Sequence, residues 1–215
     1  MSDVQKGLGA TLSLAPVIPV MVIEDVKHAV PLARALCAGG LRVLEITLRT
    51  PSALDSIRAI AAEVPEAVVG AGTVLDDAQM KAVAAAGAKF AVSPGATERL
   101  LDSARTHGLA WLPGAVTASE VMVMVEAGLQ FLKFFPAVPA GGTAYLSSLA
   151  SVFPQVKFCP TGGIGIANAG EFLKLSNVIC IGGSWVAPAD LVKSGDWRAI
   201  TELARVASGL AHGRS

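Results

Sequence analysis

Eight times along this chain a short β-rich run ends in a turn and passes into a helical pattern of apolar residues. With Val20, Glu45, Gly70, Ser93, Pro113, Lys133, Thr161 and Gly182 as landmarks at the ends of the runs, the spacings are 25, 25, 23, 20, 20, 28 and 21 residues. Sequential alternation of strand and helix through short loops implies parallel strands joined by right-handed crossovers, and eight such units are the number that closes a barrel. The expected fold is therefore α/β, a single-domain (β/α)8 TIM barrel over residues 1–215, with frayed ends at about 1–12 and 209–215. The alternative is an open doubly wound sheet. Its nucleotide-binding variants lose support, because no G-x-G-x-x-G follows the first run and no Walker A sequence occurs.

The units are read as strand and helix pairs. Val17 to Ile23 precedes a helix from Val26 to Ala38, which Gly39-Gly40 stops, and Arg42 to Thr47 precedes a helix that Thr50-Pro51 opens and that ends near Glu63. Ala67 to Gly70 leads to an alanine-rich helix from Asp76-Asp77 to Ala86, and Lys89 to Ser93 to one over about 97–106. Leu109 to Leu112 is followed by a helix from Thr117 to Ala127, in which Thr117 and Glu120 have capping-box spacing. The sixth strand lies in the run Gln130 to Ala137, with a helix over about 143–151. The seventh is Val156 to Pro160, with a short helix from Asn168 to Leu175, and the eighth is Val178 to Ile181, with one C-terminal helix from about Ala189 to Ser208.

Composition narrows the function. Lysine plus arginine equals aspartate plus glutamate, 17 against 17, so no global positive field would hold nucleic acid or anionic lipid. The chain is 53% hydrophobic and 16% charged, with a mean hydropathy of +0.57, which is apolar enough to suggest that some surface meets another subunit. The apolar run from Leu14 to Ile23 contains Pro16 and Pro19 and is too short to span a bilayer, so it reads as a buried first strand and no membrane association is expected. Cys37, Cys159 and Cys180 match neither a disulfide framework nor a zinc motif, which indicates a reducing compartment. No cluster has metal-ligand spacing, and no metal or cofactor is expected. His28, His107 and His212 are read as solvated or packing residues.

The polar groups near the strand ends form a candidate set. In Phe131-Leu132-Lys133-Phe134-Phe135, period-2 alternation puts Lys133 on the face of Phe131 and Phe135, with Leu132 and Phe134 opposite. A nucleophilic amine must be neutral, and a water-poor aromatic pocket favours that form; the competing reading is an edge-strand lysine whose head reaches water. Glu45 shares its face with Val43 and Thr47, so it should point inward like its counterparts on other strands. Arg49 either pairs with Glu45 or offers its fork to a substrate carboxylate. Thr73 follows the tight Gly70-Ala71-Gly72 turn. Thr161-Gly162-Gly163 and Gly182-Gly183-Ser184 end the last two strands, where barrels often hold phosphate on backbone amides; glycine pairs also serve ordinary turns.

Six segments together give a resemblance. Val43 to Thr50 (VLEITLRT), Val69 to Leu75 (VGAGTVL), Ser93-Pro94-Gly95, Phe131 to Ala137 (FLKFFPA), Cys159 to Ile164 (CPTGGI) and Ile181 to Trp185 (IGGSW) occur in the order found in the 2-keto-3-deoxy-6-phosphogluconate (KDPG) and 4-hydroxy-2-oxoglutarate (KHG) aldolases, and the chain resembles that family over nearly its whole length. The resemblance implies a (β/α)8 barrel, a homotrimer, a cytoplasmic enzyme of carbohydrate metabolism in the Entner-Doudoroff pathway, and no cofactor. It implies Lys133 as the Schiff-base lysine and Glu45 as general acid/base. Arg49 and Thr73 would hold the carboxylate of the pyruvate end, with Pro94 and Phe135 lining the site. Thr161, Gly162, Gly163, Gly183 and Ser184 would contact the polar chain and phosphate of a 2-keto-3-deoxy sugar acid phosphate. The expected products are pyruvate and glyceraldehyde 3-phosphate. Gly165 departs from the serine or threonine common in relatives after Gly-Gly-Ile. Other readings of the same residues are an aldolase for the galactonate epimer, a metal-dependent aldolase or isomerase on the same barrel, and a non-catalytic phosphate-binding protein with a buried Lys133–Glu45 pair.

Overall fold

Parallel pairing dominates the computed structural model, which describes residues 3–210, with side chains from residue 7 onward. Among the described residues there are eight strands: β1 (Val17–Met21), β2 (Val43–Thr47), β3 (Val68–Gly72), β4 (Phe90–Val92), β5 (Ala110–Leu112), β6 (Phe131–Phe134), β7 (Lys157–Pro160) and β8 (Ile181–Gly183). Six of them form a parallel sheet in the order β5-β4-β3-β2-β1-β8, and β6 and β7 form a parallel pair. Single bridges join the two sets at both seams, Gly114 to Lys133 on one side and Phe158 to Val178 and Thr161 to Gly182 on the other. At the first seam the Lys133 amide donates to the Pro113 carbonyl at 2.7 Å, and the Ala115 amide to the Lys133 carbonyl at 2.9 Å.

Two apolar cores follow from strand alternation. Outward-facing Leu44, Ile46, Leu132 and Phe134 pack with the helices, which shields one face of the strands. Ile18, Val43, Phe90, Val92, Leu112, Cys159 and Cys180, from strands of both sets and their flanks, pack together in the interior. The helices between strands are α2 (Ala29–Ala38, after a 3-10 turn at Val26–His28), α3 (Ala53–Glu63), α4 (Asp77–Ala85), α5 (Glu98–Thr106), α6 (Ala118–Glu126), α7 (Gly142–Val152) and α8 (Ala169–Leu173). The predicted capping box is present: Thr117 accepts from the Glu120 amide, and the Glu120 carboxylate accepts from the Thr117 and Val116 amides, both at 2.8 Å.

Three expectations are corrected. Residues 3–12 are not a frayed end: α1 (Asp3–Leu12) carries Leu8 and Leu12 into the interior core, 1% and 0% exposed. This helix lies outside the strand-helix repeat, which hides it. The single C-terminal helix is two, α9 (Ala189–Ser194) and α10 (Trp197–Ser208), broken where Gly195 takes φ +72° and Asp196 caps the Ala199 amide. The final strand begins three residues later than expected and ends two later. β8 takes its position from pairing with β1, Val17 to Ile181, Ile18 to Gly182 and Pro19 to Gly183, which overrides the poor strand propensity of two glycines. At the other end Gly209 caps α10 through its amide and the Leu210 amide donates to the Ala207 carbonyl; His212 and residues 211–215 lie outside the described residues.

Candidate active site

Lys133 and Glu45 meet in the interior. Strand β2 brings Glu45 and β6 brings Lys133 to within 3.1 Å, Nζ donating to Oε1, and the residues are 6% and 3% exposed. With β6 paired to β7 and bridged to Gly114, Lys133 has no open edge from which to reach water, so the edge-lysine reading fails. Phe135, one residue beyond β6, sets its ring centroid 5.5 Å from Nζ, on the face that alternation predicted. The carboxylate fits only because residue 72 is glycine. A Cβ built on Gly72 would stand 2.2 Å from Glu45 Oε1.

Thr73, immediately after β3, has φ +61°, the one non-glycine residue with positive φ among those described. A β-branched residue held there is a backbone outlier of the kind that concentrates at binding and catalytic positions. Pro94, two residues past β4, lies against the end of β5, and a Cβ on Gly114 would fall 2.0 Å from the Pro94 carbonyl oxygen. Gly162 and Gly163 follow β7, with Gly162 beside the Phe135 ring and Gly163 beside Val138. Thr161 is buried, and its Oγ1 has no hydrogen-bond partner within the protein. A buried hydroxyl without a partner is costly, and Thr161 shares that state with Ser56 Oγ and Asn177 Oδ1 among the described residues. Gly183 closes β8 and Ser184 follows it, exposed. Apart from Glu45, at the middle of β2, the sequence-predicted site residues lie in the C-terminal half of a strand or just beyond it.

Arg49 departs from one of its two sequence readings. It does not pair with Glu45. Its Nε donates to Thr47 Oγ1 at 3.0 Å, and Thr47 Oγ1 in turn donates to the Met21 carbonyl at 2.9 Å.

A family model for KDPG and KHG aldolase matches residues 8–203. The chain belongs to the KDPG and KHG aldolase family. This aldolase-family chain is 55% identical over 207 residues to the KHG/KDPG aldolase of Escherichia coli K12, covering 96% of this chain and 97% of that protein. It is 55% identical over 201 residues to the 2-dehydro-3-deoxy-phosphogluconate aldolase of Pseudoalteromonas atlantica, covering 94% of each. Among solved structures it superposes with a TM-score of 0.91 and 47% identity on the KDPG aldolase of Legionella pneumophila, in which pyruvate was captured at low pH as a covalent carbinolamine intermediate; 94% of this chain and 98% of that one are covered.

Sequence reasoning passed over the supports of this aldolase-family site. Ser93 Oγ accepts from the Trp111 indole at 2.9 Å and donates to the Gly95 carbonyl at 2.6 Å, which pins the Ser93-Pro94-Gly95 turn. Thr47 lies on the Glu45 face by the same alternation that placed Glu45, so the signal was present but Thr47 had no assigned partner. Burial pushes Cys180 well above the ordinary thiol range, with Cys159 and then the Glu45 carboxylate adding to it, and burial with help from Glu66 raises Cys37 to about 11. All three cysteines are free. The His28 ring packs on Trp197 with centroids 5.8 Å apart, and His107 meets Asp77 at 3.2 Å. Among the described residues no group of three or more histidine, cysteine, aspartate or glutamate side chains is arranged to hold a metal ion.

Proposed function

We propose that the chain is a class I aldolase that cleaves 2-dehydro-3-deoxy-6-phosphogluconate to pyruvate and D-glyceraldehyde 3-phosphate, and that it also acts on 4-hydroxy-2-oxoglutarate. The observation that carries the reading is the buried Lys133–Glu45 pair at 3.1 Å, an amine beside a carboxylate able to take its proton. The names of the family relatives and the carbinolamine captured in the Legionella enzyme support the same chemistry.

Neutral Lys133 adds through Nζ to the C2 ketone, and loss of water from the carbinolamine gives an iminium that withdraws electrons from the C3–C4 bond. Glu45, directly or through a water, takes the proton of the C4 hydroxyl. The C3–C4 bond breaks, the aldehyde leaves and the bonding pair remains on the enamine. Glu45 then returns the proton to C3, and hydrolysis of the iminium releases pyruvate and regenerates the amine. Arg49 and Thr73 hold the carboxylate of the pyruvate end, and Pro94 and Phe135 line its flanks. Thr161, Gly162, Gly163, Gly183 and Ser184 meet the polar chain and the phosphate. The unpartnered Thr161 hydroxyl and the strained Thr73 backbone support these roles.

The same reading takes the fold to be a closed (β/α)8 barrel of one domain, supported by the bridges at both seams of the two strand sets. It takes the assembly to be a homotrimer of the 21.9 kDa chain in the cytoplasm, in the Entner-Doudoroff pathway. Light scattering tests the trimer. No helix among the described residues is long and apolar enough to cross a membrane.

Borohydride reduction in the presence of pyruvate tests the central claim. A reduced pyruvyl adduct is expected on Lys133, and its absence, or an adduct confined to another lysine, overturns the assignment. Turnover on the gluconate substrate, its galactonate epimer and 4-hydroxy-2-oxoglutarate then ranks the substrates.

A further inference from the structure

We propose that Thr47 is a positioning residue that fixes the Arg49 guanidinium for end-on capture of the substrate carboxylate. This rests on the reading that Arg49 holds the carboxylate of a 2-keto acid. Arg49 is exposed and lies two residues beyond β2, where a long side chain would otherwise sample many rotamers. Among the described residues its side chain makes one hydrogen bond, from Nε to Thr47 Oγ1 at 3.0 Å. Thr47 itself is 2% exposed, and its hydroxyl proton is committed to the Met21 carbonyl at 2.9 Å. A hydroxyl has one proton and two lone pairs. With the proton spent on Met21, a lone pair is left for Arg49, and the relay runs in one direction.

Two consequences follow for recognition. With Nε occupied, the side-on fork that includes Nε is closed, and the pair of terminal Nη groups remains to take a carboxylate in bidentate fashion. Glu45, the carboxylate on the same strand face, is held by Lys133, so Arg49 keeps its charge for the ligand. The anchor is also rigid. Met21 sits in β1 in register with Ile46 of β2, so the relay ties the guanidinium to the backbone of two paired strands.

The test compares Thr47→Val, which keeps the shape and removes the hydroxyl, with Thr47→Ser, which keeps the hydroxyl. Loss of one hydrogen bond to a charged group corresponds to about a tenfold change. In Thr47→Val, KM for the 2-keto acid substrate is expected to rise about tenfold with kcat changed less than threefold, and Thr47→Ser is expected to return KM to near the parent value. Borohydride trapping of hydroxyacetone, a ketone without a carboxylate, is expected to be equal in the parent and Thr47→Val proteins, and trapping of pyruvate to be weaker in the variant. An unchanged KM in Thr47→Val, a fall in kcat alone, equal losses with both ketones, or no rescue by serine in a protein that melts like the parent overturns the proposal. Failure of the unmodified protein to trap pyruvate on Lys133 overturns instead the aldolase reading beneath it.

Discussion

Lys133 Nζ donates to Glu45 Oε1 at 3.1 Å across 88 residues of sequence, with both side chains withdrawn from water. An ionisable pair in that setting needs its geometry held from several sides, because burial penalises a charge on either group. Gly72 leaves room for the carboxylate, β7 and Gly114 flank the lysine strand, and the Phe135 ring stands over the amine. Ionisable pairs held in an interior in this way concentrate at functional sites, and the proposed proton transfer uses this one.

Glu45→Gln removes the proton acceptor and keeps the shape. Turnover is expected to fall about 10²–10⁴-fold, the range for loss of a positioned acid/base, with borohydride trapping of pyruvate on Lys133 still detectable by mass. Unchanged turnover would remove Glu45 from the mechanism.

Gly72→Ala attacks the same pair without touching either charge. The added carbon would collide with Oε1 at 2.2 Å, so Glu45 must move, and a displacement of about 1 Å is expected to lower kcat on the order of 10²-fold. A steady-state assay that finds parent-like kcat would mean that the carboxylate position tolerates such a shift.

Leu12→Ala probes the N-terminal helix. Leu12 is fully buried in the interior core, and truncation there is expected to cost about 2–5 kcal/mol in denaturant unfolding. Loss below 1 kcal/mol would show that α1 contributes little to that core.

Glu120 supplies a pH-dependent prediction. Partial burial would raise its pKa, but the amides of Thr117 and Val116 and the Thr117 hydroxyl outweigh that and lower it. A carboxyl lowered on folding contributes stability above its unfolded pKa and loses it as pH falls through the folded value. The stability gap between the parent and Glu120→Gln is therefore expected to be full at neutral pH and to narrow as pH falls below the ordinary carboxylate range. Thermal melts of both proteins from neutral to acid pH check this; a gap that widens in acid contradicts the capping role.

The sequence by itself determined the repeat and the direction of the key side chains. Strand length and period-2 alternation are local properties, so eight strand-helix units, the inward aim of Glu45 and Lys133, and the Thr117 capping box were all legible without any long-range contact. Tertiary structure decided what depends on neighbours distant in sequence. Arg49 had two partners open to it in the sequence; the structure gives it Thr47, which is itself oriented by Met21 from another strand. The place of β8 came from its register with β1, and the role of residues 3–12 came from the interior core that Leu8 and Leu12 enter. The space that Gly72 leaves for Glu45 belongs to the same class, because it arises where two strands lie side by side, a distance that no local pattern encodes.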